Sequence, residues 1–366
     1  MDELEFYEKD DDIDTGQNNF YSKPVRKKKK FYQIIFLILA LVLIFFTLIF
    51  YLFHQLKIKY DRIFFGNGVN STIDNFKKVL IPGQLSGEDS GDINMLFVGM
   101  RSKDMEGAYY SSAMMIVNLD LKTNKLNLIS VPRDLWMPIG NSLGKANSVY
   151  KTTVENNSKS PTENINFTKE TFAKNFGIDI NYVFVCDFDS FQNIINQIGR
   201  IDIQMSETEA AGYPFLSDNL MKSARDRSTP GLYHLDGAQS LEFVRWPIDA
   251  VPDFDRLRRM QLYLFSFAKQ YVDTKSLMTY KTANNVLGVA DDNIRTDMKI
   301  WEIKKIVGLA EKIPLGSVSQ HRLTTDIGTD GGLLKESHYQ NTTYNPIAGD
   351  SNFSQIQTWT RNIINN

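Results

Sequence analysis

A single cysteine, Cys186, occurs among 366 residues, so the chain has no intrachain disulfide framework and no cysteine-rich zinc site. Cys186 ends the apolar run Tyr182–Cys186 and reads as a small core residue rather than a nucleophile. There are four histidines, and no two stand at metal-ligand spacing. A glycine-rich phosphate loop, a G-x-S-x-G elbow and an H-E-x-x-H helix are all missing, which removes the common signatures of nucleotide binding, α/β-hydrolase chemistry and zinc proteolysis. No internal repeat is present. Neither sign of charge dominates: 41 basic residues face 43 acidic ones, for a net charge of −2, which points neither toward nor away from nucleic acid. What remains is an ordinary globular composition, 42% hydrophobic and 23% charged, on a chain long enough to bury a substantial core.

The charge average conceals a local asymmetry. Acids dominate the first fourteen residues, and a cationic block follows at Arg26–Lys30, with Lys23 just before it. Next comes FYQIIFLILALVLIFFTLIFYLF (Phe31–Phe53), 23 residues without a charge and with only Gln33 and Thr47 as polar interruptions. As a helix it would be about 34 Å long, enough for a hydrocarbon core of about 30 Å. No small-residue cleavage site accompanies it, so it reads as an uncleaved transmembrane anchor. The far flank carries only Lys57, Lys59 and Arg62. Positive residues stay on the cytoplasmic side, which puts the N-terminus inside and the bulk of the chain outside the cell membrane. Residues 1–30 then form a polar cytoplasmic tail, too short for a DNA-binding fold, and no nucleic-acid partner is expected.

Residues 54–92 read as a stalk and linker, ending in the Gly-, Ser- and Asp-rich stretch Ile81–Asp92. A globular domain is expected over residues 93–366. Met95–Gly99, Met114–Leu119 and Lys125–Val131 read as strands, as do Tyr182–Val185 and Arg200–Met205. Helices are expected at Thr168–Phe176, Ser190–Ile198 (ended by Gly199), Phe254–Val272, Ser276–Leu287, Thr296–Glu311 and Phe353–Ile363, with a helix-like start at Leu241–Val244. The tail from Thr329 reads as irregular up to that last helix. Alternating strands and helices make the class α/β, one sheet covered by helices.

The residues with chemical potential are arginines at breaks in the apolar pattern. Arg133 follows Ser130-Val131-Pro132, Arg245 follows Leu241–Val244, and Arg256, Arg258 and Arg259 open the long helix behind Asp253 and Asp255. Arg256 and Arg259 share a helix face, whereas Arg258 points elsewhere and reads as solvated. Arginine in a first helical turn opposes the helix dipole, so an anion or a carboxylate must compensate it. Two readings stay open: a bidentate phosphate clamp, or a structural ion-pair network with Asp253, Asp255 and Asp134.

At these residues the chain resembles the LytR-CpsA-Psr family of bacterial envelope proteins. The likeness is carried by Asn94–Ser102, Ser111–Met137 with Lys145–Tyr150, Phe191–Ile203 and His234–Gln261. It implies a single mixed sheet with helices on both faces. It also implies a phosphotransferase that moves a glycopolymer from a polyprenyl-diphosphate carrier to peptidoglycan, with the lipid tail in an apolar cavity and magnesium held by aspartates. By motif, Arg133, Arg245, Arg256 and Arg259 match the family's catalytic arginines. Lys145 and Asp253 match its phosphate-binding positions.

The departures concern the metal. The family's first metal aspartate falls on Arg101. Its Arg-Ser-Asp-Thr motif falls on Tyr110-Ser111-Ser112-Ala113, so Ser112 replaces the second. The second arginine of its Arg-x-Arg falls on Pro247, and a glutamine falls on Met260. Asp104 lies three residues from the metal position. A hard dication needs oxygen ligands that Arg101 and Ser112 do not supply, so no cofactor is assigned. The expectation is a phosphate site with Arg101 in place of the metal and weakened or lost catalysis. The alternative is a non-catalytic binder of polyprenyl-phosphate lipids or wall glycans.

Overall fold

A computed structural model of the chain describes residues 83–155, 161–246, 253–274, 294–337 and 343–365, all within the compact unit Leu56–Asn366. β1 (Asp92–Met100), β2 (Ser111–Asp120) and β3 (Lys125–Ser130) are followed by a short pair, β4 (Trp136–Ile139) and β5 (Ser142–Lys145). Then come α1 (Val149–Glu155), α2 (Pro161–Phe176), β6 (Tyr182–Asp187), α3 (Phe188–Ile198), the pair β7 (Ile201–Gln204) and β8 (Leu232–Leu235), and α4 (Gly237–Arg245). The chain closes with α5 (Phe254–Thr274), β9 (Ile294–Thr296), α6 (Ile300–Ala310), β10 (Val318–Arg322), β11 (Leu334–Ser337), β12 (Thr343–Pro346) and α7 (Ser354–Asn365).

The main sheet runs β10-β3-β2-β1-β6-β9. β1 and β6 are parallel, as are β3 and β10, and the other pairs are antiparallel, so the sheet is mixed. Period-two alternation explains its burial on both faces. Leu96, Val98, Met114, Ile116 and Ile129 point to one side, against Phe172 and Phe176 of α2 and Ile356 of α7. Ile93, Met95, Met115, Val117 and Leu128 point to the other, against Leu257 and Met260 of α5 and Trp301 and Ile306 of α6. Truncating one of these side chains, as in Leu96→Ala, costs about 2–5 kcal/mol.

One row breaks the apolar pattern. Asn94, Asn118 and Asn127 stand directly opposite one another on β1, β2 and β3, all buried. Asn127 donates to the Asn118 Oδ1 at 2.9 Å, Asn118 donates to the Asn94 Oδ1 at 2.9 Å, and Asn94 donates to the Asp179 carbonyl at 2.8 Å. Burying amides costs free energy unless they are bonded, and this chain of bonds meets that demand.

The His-Leu-Asp-Gly stretch turns out to be architectural. His234 sits between Asp202 (2.6 Å) and Asp226 (3.0 Å), and Leu235 is buried. Asp236 caps α4 in a reciprocal box with Gln239. At Gly237 a Cβ would lie 2.3 Å from the Gln192 carbonyl, so glycine lets α4 approach α3.

Three expectations are corrected. Thr296–Glu311 is not one helix: Thr296 pairs with Phe184, and the helix starts at Ile300, where the Lys299 amide donates to the Glu302 carboxylate at 2.6 Å. The stretch after Thr329 is not irregular throughout, because β11 and β12 pair and bury Leu334 and Tyr344. The stretch read as linker folds onto the domain from Gly83: Leu85 enters the core, and Lys305 bonds Glu88 at 2.6 Å. The anticipated span Phe31–Phe53 and the helix Ser276–Leu287 lie outside the described residues. Among those residues, no helix is long and apolar enough to cross a membrane.

Candidate functional site

A cleft of about 420 Å³ opens at the C-terminal end of β1, beside the first residues of β2. Arg101 leaves β1 directly into it, while Ser111 and Ser112 start β2 across a loop closed by the Arg101 amide bonding to the Tyr110 carbonyl at 3.1 Å. Gly107 and Tyr109 both adopt positive φ in that loop, and the Arg101 guanidinium donates to the Glu106 carbonyl at 2.8 Å. Pro132 ends the β3 ladder and turns the chain, so Arg133 and Asp134 enter the cleft. Lys145, the last residue of β5, completes the cationic wall, and Asn147 beside it offers an amide oxygen that is buried without a hydrogen-bond partner.

The charges form a chain rather than a cluster. Lys145 bonds the Asp134 Oδ1 at 2.7 Å, and Arg133 reaches the Asp134 Oδ2 at 3.2 Å and the Asp253 Oδ1 at 3.8 Å. Asp253 is gripped from the other side by Arg256, with Nε at 2.7 Å and Nη2 at 2.6 Å. Arg256 is 5% exposed and also donates to the carbonyl of Ser112, a residue of the cleft lining, so it packs behind the cleft without lining it. Burial alone would lift the Asp253 carboxyl, but the adjoining Arg256 charge and its bonds, with help from Arg133, outweigh it and hold the group below the ordinary carboxylate range.

Arg259 belongs to a different centre. It is 1% exposed, bonds the Asp255 carboxylate at 3.0 Å and the Trp246 carbonyl at 2.5 Å, and lies over the rings of Tyr213 and Phe215. Burial lowers its pKa, and Asp255 offsets part of that loss. Arg258 keeps a 39% exposed side chain, as expected, but is also held by Glu209 and the Tyr213 hydroxyl. Arg245 ends α4, 43% exposed, bonded to Glu242 at 3.0 Å. Neither Arg245 nor Arg259 lines the cleft, and exposed Asp104 does not either.

The structure therefore brings together Arg101, Arg133, Lys145, Asp253 and Arg256, and sets Arg245 and Arg259 apart. Of the two open readings, the ion-pair network with Asp134, Asp253 and Asp255 is present, and Arg101 and Arg133 also line the cleft. Tyr213 and Asn147 were not anticipated, although the Asp253–Arg256 and Asp255–Arg259 spacings already announced ion pairs.

The two positions matching the family's metal aspartates, Arg101 and Ser112, both line this cleft. Among the described residues, the donor set does not suit a hard dication. Both oxygens of Asp134 and both of Asp253 are taken by cations, and a guanidinium stands where a carboxylate would be needed. Among the described residues, the cleft lining contains no aliphatic side chain.

Fold and motif together define an α/β domain with a cleft lined by Arg101, Arg133 and Lys145, and residues 65–358 match the LytR_cpsA_psr family model. The chain belongs to that family. It is 26% identical over 210 residues to the regulatory protein MsrR of Staphylococcus aureus, covering 57% of this chain and 58% of MsrR, so it spans little more than half the length of that relative. It is 22% identical over 274 residues to the polyisoprenyl-teichoic acid–peptidoglycan teichoic acid transferase TagU of Oceanobacillus iheyensis, covering 74% and 78%. Among solved structures, Bacillus subtilis TagV superposes with a TM-score of 0.53 at 21% identity, over 75% of this chain and 97% of TagV. TagT bound to LI-WTA gives 0.53 at 15% identity, over 76% and 92%. These superpositions bear out the mixed, helix-covered sheet.

Proposed function

We propose that this protein is a membrane-anchored, extracytoplasmic member of its family that binds polyprenyl-(di)phosphate-linked glycopolymers through the Arg101–Arg133–Lys145 cleft without a metal ion. The observation that carries the reading is the donor set: three cations face one opening, and the carboxylates behind them are already spent on arginine and lysine. Arginine binds phosphate oxygens in a planar, bidentate fashion, and lysine adds a mobile point charge. Phosphoryl transfer depends on positioning and on neutralising charge as the leaving group departs. Arg101, Arg133 and Lys145 supply fixed positive charge for that purpose, and Arg256 fixes Asp253 behind them. Transfer to peptidoglycan is weakened or lost relative to members that keep both aspartates. TagU, named as a teichoic acid transferase, supplies the analogy for donor and acceptor.

The test uses the full-length chain in detergent with a fluorescent polyprenyl diphosphate. Binding is expected to be unchanged when EDTA replaces magnesium. A requirement for magnesium would overturn the reading. The double substitution Arg101→Asp/Ser112→Asp is expected to confer magnesium binding measurable by calorimetry, and its failure would count against the motif correspondence.

A further inference from the structure

A second, larger cleft lies at the other end of the same strand. It measures about 850 Å³ and opens between the start of β1, the C-terminal end of α2 and the last turns of α7. β1 has nine residues, so the two clefts are separated by about 30 Å along it. Volumes of this order are typical of ligand sites, roughly 300–1,000 Å³.

Its chemistry differs from that of the cationic cleft. Three carboxylates (Asp89, Asp92 and Asp179) share the lining with Lys174 and Arg361, so the signs nearly offset. The Lys174 ammonium, the Arg361 guanidinium and the Asp179 carboxylate make no hydrogen bond or ion pair among the described residues. A strongly charged ligand of either sign would meet repulsion from one set of walls. A neutral chain of hydroxyl groups would not, because each hydroxyl donates and accepts at once, and carboxylate, guanidinium and amide groups supply both complements. Ala173, Ile178 and Ile364 add small apolar patches suited to the C–H faces of a sugar ring.

The buried asparagine row supports these walls. Asn94 lines the cleft and bonds the Asp179 carbonyl, and the Asn118 amide donates to the Asn94 Oδ1 at 2.9 Å and to the Asp92 Oδ1 at 3.4 Å. Asn181 holds the rim, accepting the Asn94 amide at 2.7 Å and donating to the Ser86 hydroxyl at 3.2 Å. Polar core residues that fix the groups of a cleft are what a preorganised site needs. We infer that this cleft binds a neutral saccharide, with Asp179 and Arg361 making direct contacts. The inference does not depend on the phosphate reading of the cationic cleft.

The test is calorimetric titration and saturation-transfer NMR on the full-length chain, kept in a detergent without a sugar headgroup. Chitotriose and maltotriose serve as probes, covering acetamido and plain hydroxyl chemistry. At least one is expected to bind saturably at millimolar concentration. Asp179→Ala/Arg361→Ala is expected to weaken it about tenfold or more, while Arg133→Ala leaves it unchanged. Both altered side chains are unpaired among the described residues, so an unchanged melting temperature separates lost binding from lost folding, and Lys174→Ala serves as the second variant. Absence of saturable binding by either sugar overturns the proposal, as does full affinity in the double variant. Loss of binding in Arg133→Ala also overturns it, because the sugar would then occupy the cationic cleft.

Discussion

Removing the charge of Asp253 is expected to be among the most damaging single changes behind the cationic cleft. Its side chain is 9% exposed and takes two bonds from Arg256, itself 5% exposed. In Asp253→Asn the guanidinium stays buried, bonded to the Ser112 carbonyl but without its counter-charge, and Arg133 loses a partner at 3.8 Å. Breaking one side of a buried pair costs about 3–5 kcal/mol, a large part of a total stability of roughly 5–15 kcal/mol. At about 2–4 °C per kcal/mol the melting temperature should fall by roughly 6–20 °C. The assay is thermal and urea unfolding of the full-length chain followed by circular dichroism. Lys122→Ala is the control, since its pair with Asp92 is solvent-exposed on the lysine side and contributes about 0–1 kcal/mol. Replacing both partners, Asp253→Leu/Arg256→Met, should restore part of the loss because no lone buried charge remains. The folded Asp253 pKa is depressed, so its contribution is present above the unfolded value of about 3.9 and disappears as pH falls through the folded one. The variant should therefore lose less stability than the wild type on acidification. A loss below about 1 kcal/mol in Asp253→Asn, no larger than that of an exposed pair, would refute the account.

Arg133→Ala should weaken polyprenyl-diphosphate binding by about 1.5–3 kcal/mol, whereas Arg245→Ala, outside the cleft, should leave the titration unchanged. His234 is held by Asp202 and then Asp226, which raise its pKa above the ordinary value. Its contribution is complete below about pH 6.5 and is lost as pH rises through the raised value. Melting temperatures between slightly acid and slightly alkaline buffer should show that decline in the wild type and not in His234→Gln. Cys186 is buried and desolvation pushes its thiol pKa up, so iodoacetamide should label it in urea and not in native buffer, as intact-mass spectrometry would show.

Much of the architecture was legible in the sequence, for a physical reason. Apart from the asparagine row, β1, β2 and β3 alternate between two apolar faces, and their flanking turns are marked by polar residues, so period and punctuation agree. β4 and β5 escaped because WMPI and SLGK are four residues each and carry a proline or an exposed pattern. β9 escaped because three residues give no period, and its position is fixed instead by Asp297 accepting the Val183 amide at 2.8 Å. At the cleft, sequence pointed to individual arginines but not to their grouping. Arg256 and Arg259 share a helix face, yet one backs the cleft and the other packs on Tyr213, because the neighbours that decide this come from distant strands and loops. The same limit explains Arg258, whose partner Glu209 is far away in sequence.

The row of Asn94, Asn118 and Asn127 also governs which strand alignments the chain tolerates. Sliding β2 by one residue would turn Asn118 onto the opposite, aliphatic face and leave the amides of Asn94 and Asn127 unmatched, because side chains alternate from face to face. Aliphatic residues of similar size would pack without that penalty in either alignment. Substituting all three by leucine should therefore leave a compact sheet while making mispaired forms accessible, so the three amides act as a proofreading device during folding rather than as a source of stability.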